Sequence, residues 1–420
     1  FLYSHYGTPA TSRENRIRGL KSFVEYLQFC GFNQVQLHII NGSDTAGRAW
    51  YDSKLYKPFD ANLFDELVPI AAQAGIEVVP IVTPIFVPKY GGDLEKIPLT
   101  PDENGFSRLS LQLDRDGKTY TNTMGQYALD PLRPEVQEWM FKCLREVAER
   151  AAKHPNVPGV GFRVNGKLGT CYVGFEAGKC GQDTGYSGWD IAEFEKDTGI
   201  GVPDNLQAYD WLRANAWEKW IDWRCRRTHD FWLKARDTVR SYRQDMELVV
   251  ACDLPSEYPG YNIEWVNGVS PRDLMRHHGY DPEMFRSDDG ILIQRGMMIG
   301  SDRYFGKWGP PHGTNAWAHK AFNYADGVVE CYRTPAGQAV EFYHNYWEEV
   351  PHPDPEYGTT LRTSTAAPPG QFYFEPATYS LRKANVHTMA YMGWERASIG
   401  HESDLRRFAR AYRALPCVDP

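Results

Sequence analysis

The chain has 420 residues, 42% hydrophobic and 24% charged, a globular composition long enough for one large domain or two or three small ones. Its net charge of −8 argues against nucleic acid or an anionic membrane surface as the main partner. No uninterrupted apolar run is long enough to span a bilayer, so a membrane partner is not expected either.

In chain order, FLYSHY (1–6) is the first strand candidate, and a helix follows at about 12–30, with Ile17, Leu20, Val24 and Leu27 at helical spacing. QVQLHII (34–40) is the second strand, and LFDELVPIAAQAG is a helix closed by Gly75. IEVVPIVTPI (76–85) is a continuous apolar run, as expected of a parallel strand covered on both faces. The next helix, about 134–153, opens on Pro134 and carries Val136, Trp139, Met140, Cys143, Leu144 and Val147 in one stripe. VPGVGFRV (157–164) is the fourth strand, and a Trp-rich helical stretch covers about 205–240. ELVVACDL (247–254), ILIQRGMMI (291–299) and AVEFYHNYW (339–347) are strands five to seven. A helix at about 377–391 then leads to the eighth strand, ERASIG (395–400), and a last helix covers about 402–414.

Eight strands, each followed by a helix or helix-like segment, predict an α/β fold of the (β/α)8 TIM-barrel type over 1–420. An open doubly wound sheet is the alternative, but no strand–Gly-x-Gly-x-x-Gly–helix fingerprint occurs. A barrel needs roughly 250 residues. The surplus falls after strands three to six, at 86–133, 166–204, 255–270 and 300–315, where strand-to-helix loops build the active-site face. In the first of these, LSLQLDRDGKTYTN reads as a hairpin turning at Asp114–Gly117 rather than as a calcium loop. The chain opens on Phe1 inside a strand-like run and is read as a piece of a longer or processed protein, with no signal peptide visible.

Polar residues cluster where the strands end: His5, His38, Arg163 with Asn165, Asp253, Arg295 with Asp302, His344 with Glu348 and Glu349, and His401 with Glu402. Alternate residues of a strand face opposite sides, so part of this set points to the helices. A mouth lined by His5, His38, Arg163, Arg295, His344 and His401 is locally basic in an acidic protein. It suits an anionic sugar group, a sulfate or a carboxylate. Glycosidic hydrolysis typically needs two carboxyl groups, and the choices are Asp253, Glu348, Glu349 and Glu402 at strand ends, with Asp302 and Glu176 on loops; Asp253, where strand five leaves the barrel, and Glu348, in phase with His344 and Tyr346, are preferred. Asp253 has a turn-capping role as its plain alternative, and Glu349 is the other member of its pair. A histidine such as His38 is a further proton-donor candidate, because imidazole titrates near neutrality.

Trp308 and Trp347, in or beside the mouth loops, are candidate sugar platforms, whereas Trp211, Trp217, Trp220, Trp223 and Trp232 read as helix packing. Cys30, Cys143 and Cys252 read as buried thiols, and Cys171 and Cys180 share a loop and can pair in an oxidising compartment. No Cys-x-x-Cys or His-x-x-x-His spacing occurs, so neither a zinc site nor another cofactor is expected. His277 and His278 read as a solvated pair at a helix end.

The stretch GWDIAEFEKDTGIGVPDNLQAYDWLRANAWEKWIDWRCRR, with the third and fourth strands and the Cys-containing loop before it, resembles barrel glycoside hydrolases, in particular β-galactosidase-like members of clan A. The closing YFEPATYSLRKAN and GHESDLRRFARAYRALP resemble large glycosidase-like proteins of polysaccharide-degrading bacteria. The resemblance implies a secreted or periplasmic bacterial enzyme with an oligo- or polysaccharide substrate and a nucleophile after strand seven, at Glu348 or Glu349. It also implies Asn-Glu at the end of strand four, where this chain reads Asn165-Gly166. Arg163 and Asn165 are therefore expected to hold substrate, and the proton donor to come from elsewhere, Asp253 first and Glu176 second.

The leading expectation is a glycoside hydrolase acting on a complex, anionic glycan. A non-catalytic carbohydrate-binding barrel is the second reading, favoured by Asn165-Gly166. A metal-dependent sugar isomerase, epimerase or lyase is the third, with Glu348, Asp253, Asp302 and His38 as an oxygen-rich set that a chelator would test.

Overall fold

The computed structural model describes residues 12–40, 48–59, 61–84, 87, 89–90, 93–119, 127–165, 184–203, 208–253, 271–299, 333–344, 348–351, 360–363, 386, 388–392, 406 and 410. Of these, 164–165, 252–253, 271, 274, 295–299, 340–344, 348–351, 360–363 and 389–392 are described by backbone alone. The expected strand at 1–6, the Cys171–Cys180 loop, His5, Asp302, Trp308, Trp347, the strand at 395–400 and His401 lie outside the described residues.

Among the described residues the main sheet has seven parallel strands: β1 (Gln34–His38), β4 (Glu77–Val82), β5 (Gly159–Asn165), β6 (Glu247–Asp253), β7 (Ile291–Ile299), β8 (Ala339–His344) and β11 (Thr388–Met392). They lie side by side in chain order. A doubly wound sheet reverses its order at a switch point, and this order never reverses. Short pairs flank the main sheet: β2 (Arg48–Ala49) with β3 (Lys57–Pro58), and β9 (Glu348–Pro351) antiparallel to β10 (Thr360–Thr363).

Simple alternation divides the described side chains of the sheet between two cores. Leu37, Val78, Val82, Val160, Phe162, Leu248, Val250, Ile291 and Ile293 pack in a large cluster with the helices. The opposite phase supplies a separate small cluster, Val79, Ile81, Val249, Leu292 and Ala339. That second cluster is the inside of a curl. Gln36 of β1 and Gln294 of β7 sit four strand positions apart, about 19 Å in a flat sheet. Their side-chain amides nevertheless bond each other reciprocally, at 2.5 and 2.8 Å. Register explains the meeting. His38, Ile81, Gly161, Val249 and Leu292 are successive partners across β1 to β7. Gln36 lies two residues before that row and Gln294 two residues after it, an offset of one residue per strand. A closed eight-stranded barrel needs the same stagger.

Helix α1 (Arg13–Cys30) starts on a Ser12 cap and stops at Gly31, whose φ of 84° lets its N–H reach the carbonyls of Gln28 and Leu27. It buries Leu20, Phe23, Val24, Leu27 and Cys30. Helix α2 (Leu63–Gln73) is capped by Asn62, and α3 (Pro134–Ala151) opens on Pro134 and buries the stripe from Val136 to Ala151. The expected 205–240 helix is two helices, α5 (Ala208–Asn215) and α6 (Trp217–Arg240), broken at Ala216 with φ −146°. No Gly or Pro marks the break. Trp220, Trp223 and Trp232 are fully buried, in agreement with a packing role, and Trp211 and Trp217 lean against a second cluster. No described helix is long and apolar enough to cross a membrane.

Three expectations are corrected. Residues 388–392 form a strand paired with β8 from Thr388–Ala339 to Met392–Tyr343, not the end of a helix. An apolar run this short fits either period. The 166–204 segment holds a helix, α4 (Gly188–Thr198), with a Ser187/Asp190 capping box and Gly199 in the left-handed region. His278, expected in solvent, is fully buried, because Gly279 (φ 79°) folds the chain back beside Met275 and Tyr280 after α7 (Pro271–His277).

Candidate active site at the strand ends

Alternation sorts the expected site residues. On β5, Gly161 is in the inward phase, so Arg163 and Asn165 follow in it. On β6, Val249 is inward, and Asp253 follows in the same phase. Asn165 and Asp253 are register partners and the last residues of their strands. His38 shares the inward phase of Gln36 on β1. The structure therefore brings His38, Arg163, Asn165 and Asp253 to one end of one concave face.

Arg295 and His344 stand differently. Arg295 pairs with Cys252 and alternates with Gln294, at a register position in the phase of Ile291 and Ile293. His344 pairs with Ile299 and is out of phase with inward Ala339. Glu348 is the first residue of β9, opposite Thr363, after β8 has ended at His344. Alternation exposes one carboxylate that strand-end reasoning passed over. Glu341, in mid-strand on β8, is two residues beyond inward Ala339 and partners Gly296 and Ala390. The signal was available as the lone acid inside an apolar run.

Arg163 is 4% exposed, and its Nη1 lies 3.4 Å from His38 Nε2. A guanidinium only donates, so the imidazole nitrogen accepts. Burial takes the His38 imidazole down to about 3, and the Arg163 charge acts in the same direction. His38 is therefore neutral at physiological pH. The expectation that it serves as an acid near neutrality is corrected on this ground. Beneath this pair the concave face of the sheet is tightly filled. A Cβ on Gly161 would fall 2.0 Å from Ile81 Cδ1, so the residue below Arg163 has no room for a side chain.

Two insertions of this face are joined to each other. In the first, the expected turn forms: Gly117 N–H bonds Asp114 O, and the Asp114 carboxylate accepts from the Asp116 and Lys118 N–H groups. Leu113 O then accepts from Gly185 and Tyr186 of the second insertion at 2.9 and 3.3 Å. Deeper in the same seam, Asp130 and Asp190 are both fully buried and close enough for each to act on the other's ionisation. Burial, then the Asp190 charge, pushes the Asp130 carboxyl well above its ordinary range. Burial also raises Asp190, opposed by Ser187 and by the Arg224 charge. Asp130 Oδ2 and Asp190 Oδ1 have no donor among the described residues, and a proton shared between the carboxyls would supply one. Sequence reasoning missed this pair because each Asp reads as an ordinary helix-start residue. Among the described residues no group of three or more His, Cys, Asp or Glu side chains converges as a metal-ligand set.

No family model matches the chain, and no curated protein matches it. Solved structures do. The PgaB (BpsB) glycoside hydrolase domain from Bordetella bronchiseptica aligns with a TM-score of 0.56 at 14% identity, over 98% of this chain and 96% of that one. A β-galactosidase from the Antarctic haloarchaeon Halorubrum lacusprofundi gives 0.55 at 12%, over 96% and 57%. A catalytic mutant of Gan42B, a GH42 β-galactosidase from G. stearothermophilus, gives 0.52 at 12%, over 95% and 54%. The chain thus spans nearly all of the first domain and a little over half of each β-galactosidase. At such identities the likeness is one of fold, and at that level the resemblance to clan-A glycoside hydrolases holds.

Proposed function

We propose that this protein is a glycoside hydrolase that cleaves a glycosidic bond in a complex, anionic glycan. The observation that carries the reading is the adjacency of Asn165 and Asp253 at the C-terminal ends of β5 and β6, in the inward phase of a curled parallel sheet and next to buried Arg163. In a closed barrel this end is where active sites lie. Closure of the barrel is part of the proposal. Asp253 is assigned as the proton donor and Glu348 as the nucleophile or base, with inward-phase Glu341 the alternative for the second role. Arg163 and Asn165 hold the sugar, and Arg163 supplies the positive charge for a sulfate or carboxylate. A polysaccharide substrate places the protein outside the cytoplasm or in the periplasm of a bacterium. The fold shared with glycoside hydrolases supports the reading.

The test is release of sugars from a panel of sulfated and uronic-acid polysaccharides, beside their desulfated or carboxyl-reduced forms. Products from the anionic members that fall sharply in the modified ones are expected. Equal rates on both forms would remove the anionic half of the proposal. The non-catalytic reading rests on Asn165-Gly166, which lacks the family acid. Glycan binding with no product after long incubation would favour it.

A further inference from the structure

Arg163 is long, charged and almost wholly buried, and an arginine in that setting needs acceptors arranged to fix its fork. One acceptor it meets is His38 Nε2 of β1, at 3.4 Å. The barrel stagger makes this contact a built feature. Gln36 and Gln294 meet across the interior one alternation below, and the same offset from strand to strand carries His38 to the level of Arg163. Gly296 continues that offset to β7 and contributes no side chain at the level. The pair therefore stands on a floor of paired amides, one alternation below Asn165 and Asp253.

We propose that His38 is a positioning residue: as a neutral imidazole protonated on Nδ1, it accepts from Arg163 Nη1 and fixes the guanidinium to receive an anionic group of the sugar beside Asn165 and Asp253. Its effect on the reaction rests on the glycosidase reading. The state of the imidazole does not. A protonated His38 would put two cations in contact and leave the Arg163 donor without this acceptor. The Arg163 guanidinium consequently keeps its geometry wherever the ring stays neutral, and His38 passes no proton to the substrate.

Two measurements separate the two levels. Nitrogen-15 NMR of the wild-type imidazoles is expected to show one ring locked as the neutral Nδ1–H tautomer from pH 5 to 8, assigned to His38 by its loss in His38→Gln. A His38 ring that titrates with a midpoint in that interval, or carries its proton on Nε2, overturns the positioning role whether or not any glycan is cleaved. With the anionic polysaccharide that the panel selects, His38→Leu is expected to raise KM about tenfold, the scale of one hydrogen bond to a charged group. The change in kcat should be smaller, and the pH limbs of kcat/KM should stay in place. His38→Gln, which restores an acceptor, should recover most of the loss. A His38→Leu effect confined to kcat, or a pH limb that disappears with His38, contradicts the proposal and makes the histidine a proton-transfer group. If His38→Leu does not fold, the wild-type spectra and His38→Gln still decide the question. A wild-type protein that cleaves nothing refutes the glycosidase reading while the tautomer result stands by itself.

Discussion

Acid should weaken this fold through His38 by an amount that can be worked out. The imidazole has a pKa of 6.5 in the unfolded chain and about 3 in the folded one. Its folded value is depressed, so its contribution is complete above pH 6.5 and declines as the pH falls from 6.5 toward 3. At pH 4.5 the unfolded state holds a proton that the native state refuses, two pH units below the unfolded pKa. At ~1.4 kcal/mol per unit, the cost is about 2.7 kcal/mol relative to pH 8. His154 and His277 are also lowered by burial and act in the same direction, so the informative quantity is a difference between proteins. Urea unfolding followed by Trp fluorescence, at pH 8 and pH 4.5, should show the wild type losing about 2–3 kcal/mol more than His38→Gln over that interval. Contributions from the other histidines cancel. Parallel losses in the two proteins would mean that His38 is not buried as a neutral acceptor, and the reasoning from the Arg163 contact would fail with it.

The remaining predictions concern the frame of the site. Asp130 is a carboxyl with a raised pKa, so the stability it contributes is present at low pH and is lost as the pH climbs above its unfolded range. Asp130→Asn keeps a donor toward Asp190 without that loss, and its melting temperature should exceed the wild type by a few degrees at pH 8 but not at pH 4; equal differences at both pH values would refute the shared proton. Gln36→Leu or Gln294→Leu alone should cost about 1–3 kcal/mol by removing both bonds of the reciprocal amide pair and setting a leucine against the remaining amide, and the double variant should recover much of it. Strict additivity in that cycle would show that strands four positions apart do not meet. Gly159→Ala places a Cβ 2.3 Å from the Glu247 carbonyl oxygen, in the backbone of the partner strand, and should destabilise by about 2 kcal/mol or more in chemical denaturation, where a neutral outcome would contradict the β5–β6 register.

How much of this was legible in the sequence depended on the physical signal each residue leaves. Buried parallel strands are apolar on both faces, so the runs at 77–82, 247–253 and 291–299 announce themselves, and ILIQRGMMI matches β7 end to end. The same continuity hides phase. With no alternation in the run, Arg295 and Gln294 look equally able to face the cleft, and only the partners Ala251 and Cys252 tell them apart. Gln36, Gln294 and Glu341 sit in mid-strand rather than at strand ends, so a search confined to the ends passes over the interior polar positions. AVEFYHNYW reads as one strand, of which β8 covers Ala339–His344, and nothing in the run tells that Glu348 belongs to the separate antiparallel pair β9–β10. Asp130 and Asp190 are far apart in the chain, and their meeting depends on two insertions docking, which local sequence does not encode.

The central claim is that hydrolysis occurs where β5 and β6 end, with Asp253 as proton donor. Its most direct test is the initial rate of sugar release by the wild type, Asp253→Asn and Glu348→Gln on the best polysaccharide of the panel, with folding checked by circular dichroism. The account predicts turnover reduced by at least about two orders of magnitude in Asp253→Asn, the scale of lost general acid catalysis, with the fold unchanged. It predicts a comparable loss in Glu348→Gln, or in Glu341→Gln if that carboxylate holds the second role. Wild-type rates in Asp253→Asn would contradict it.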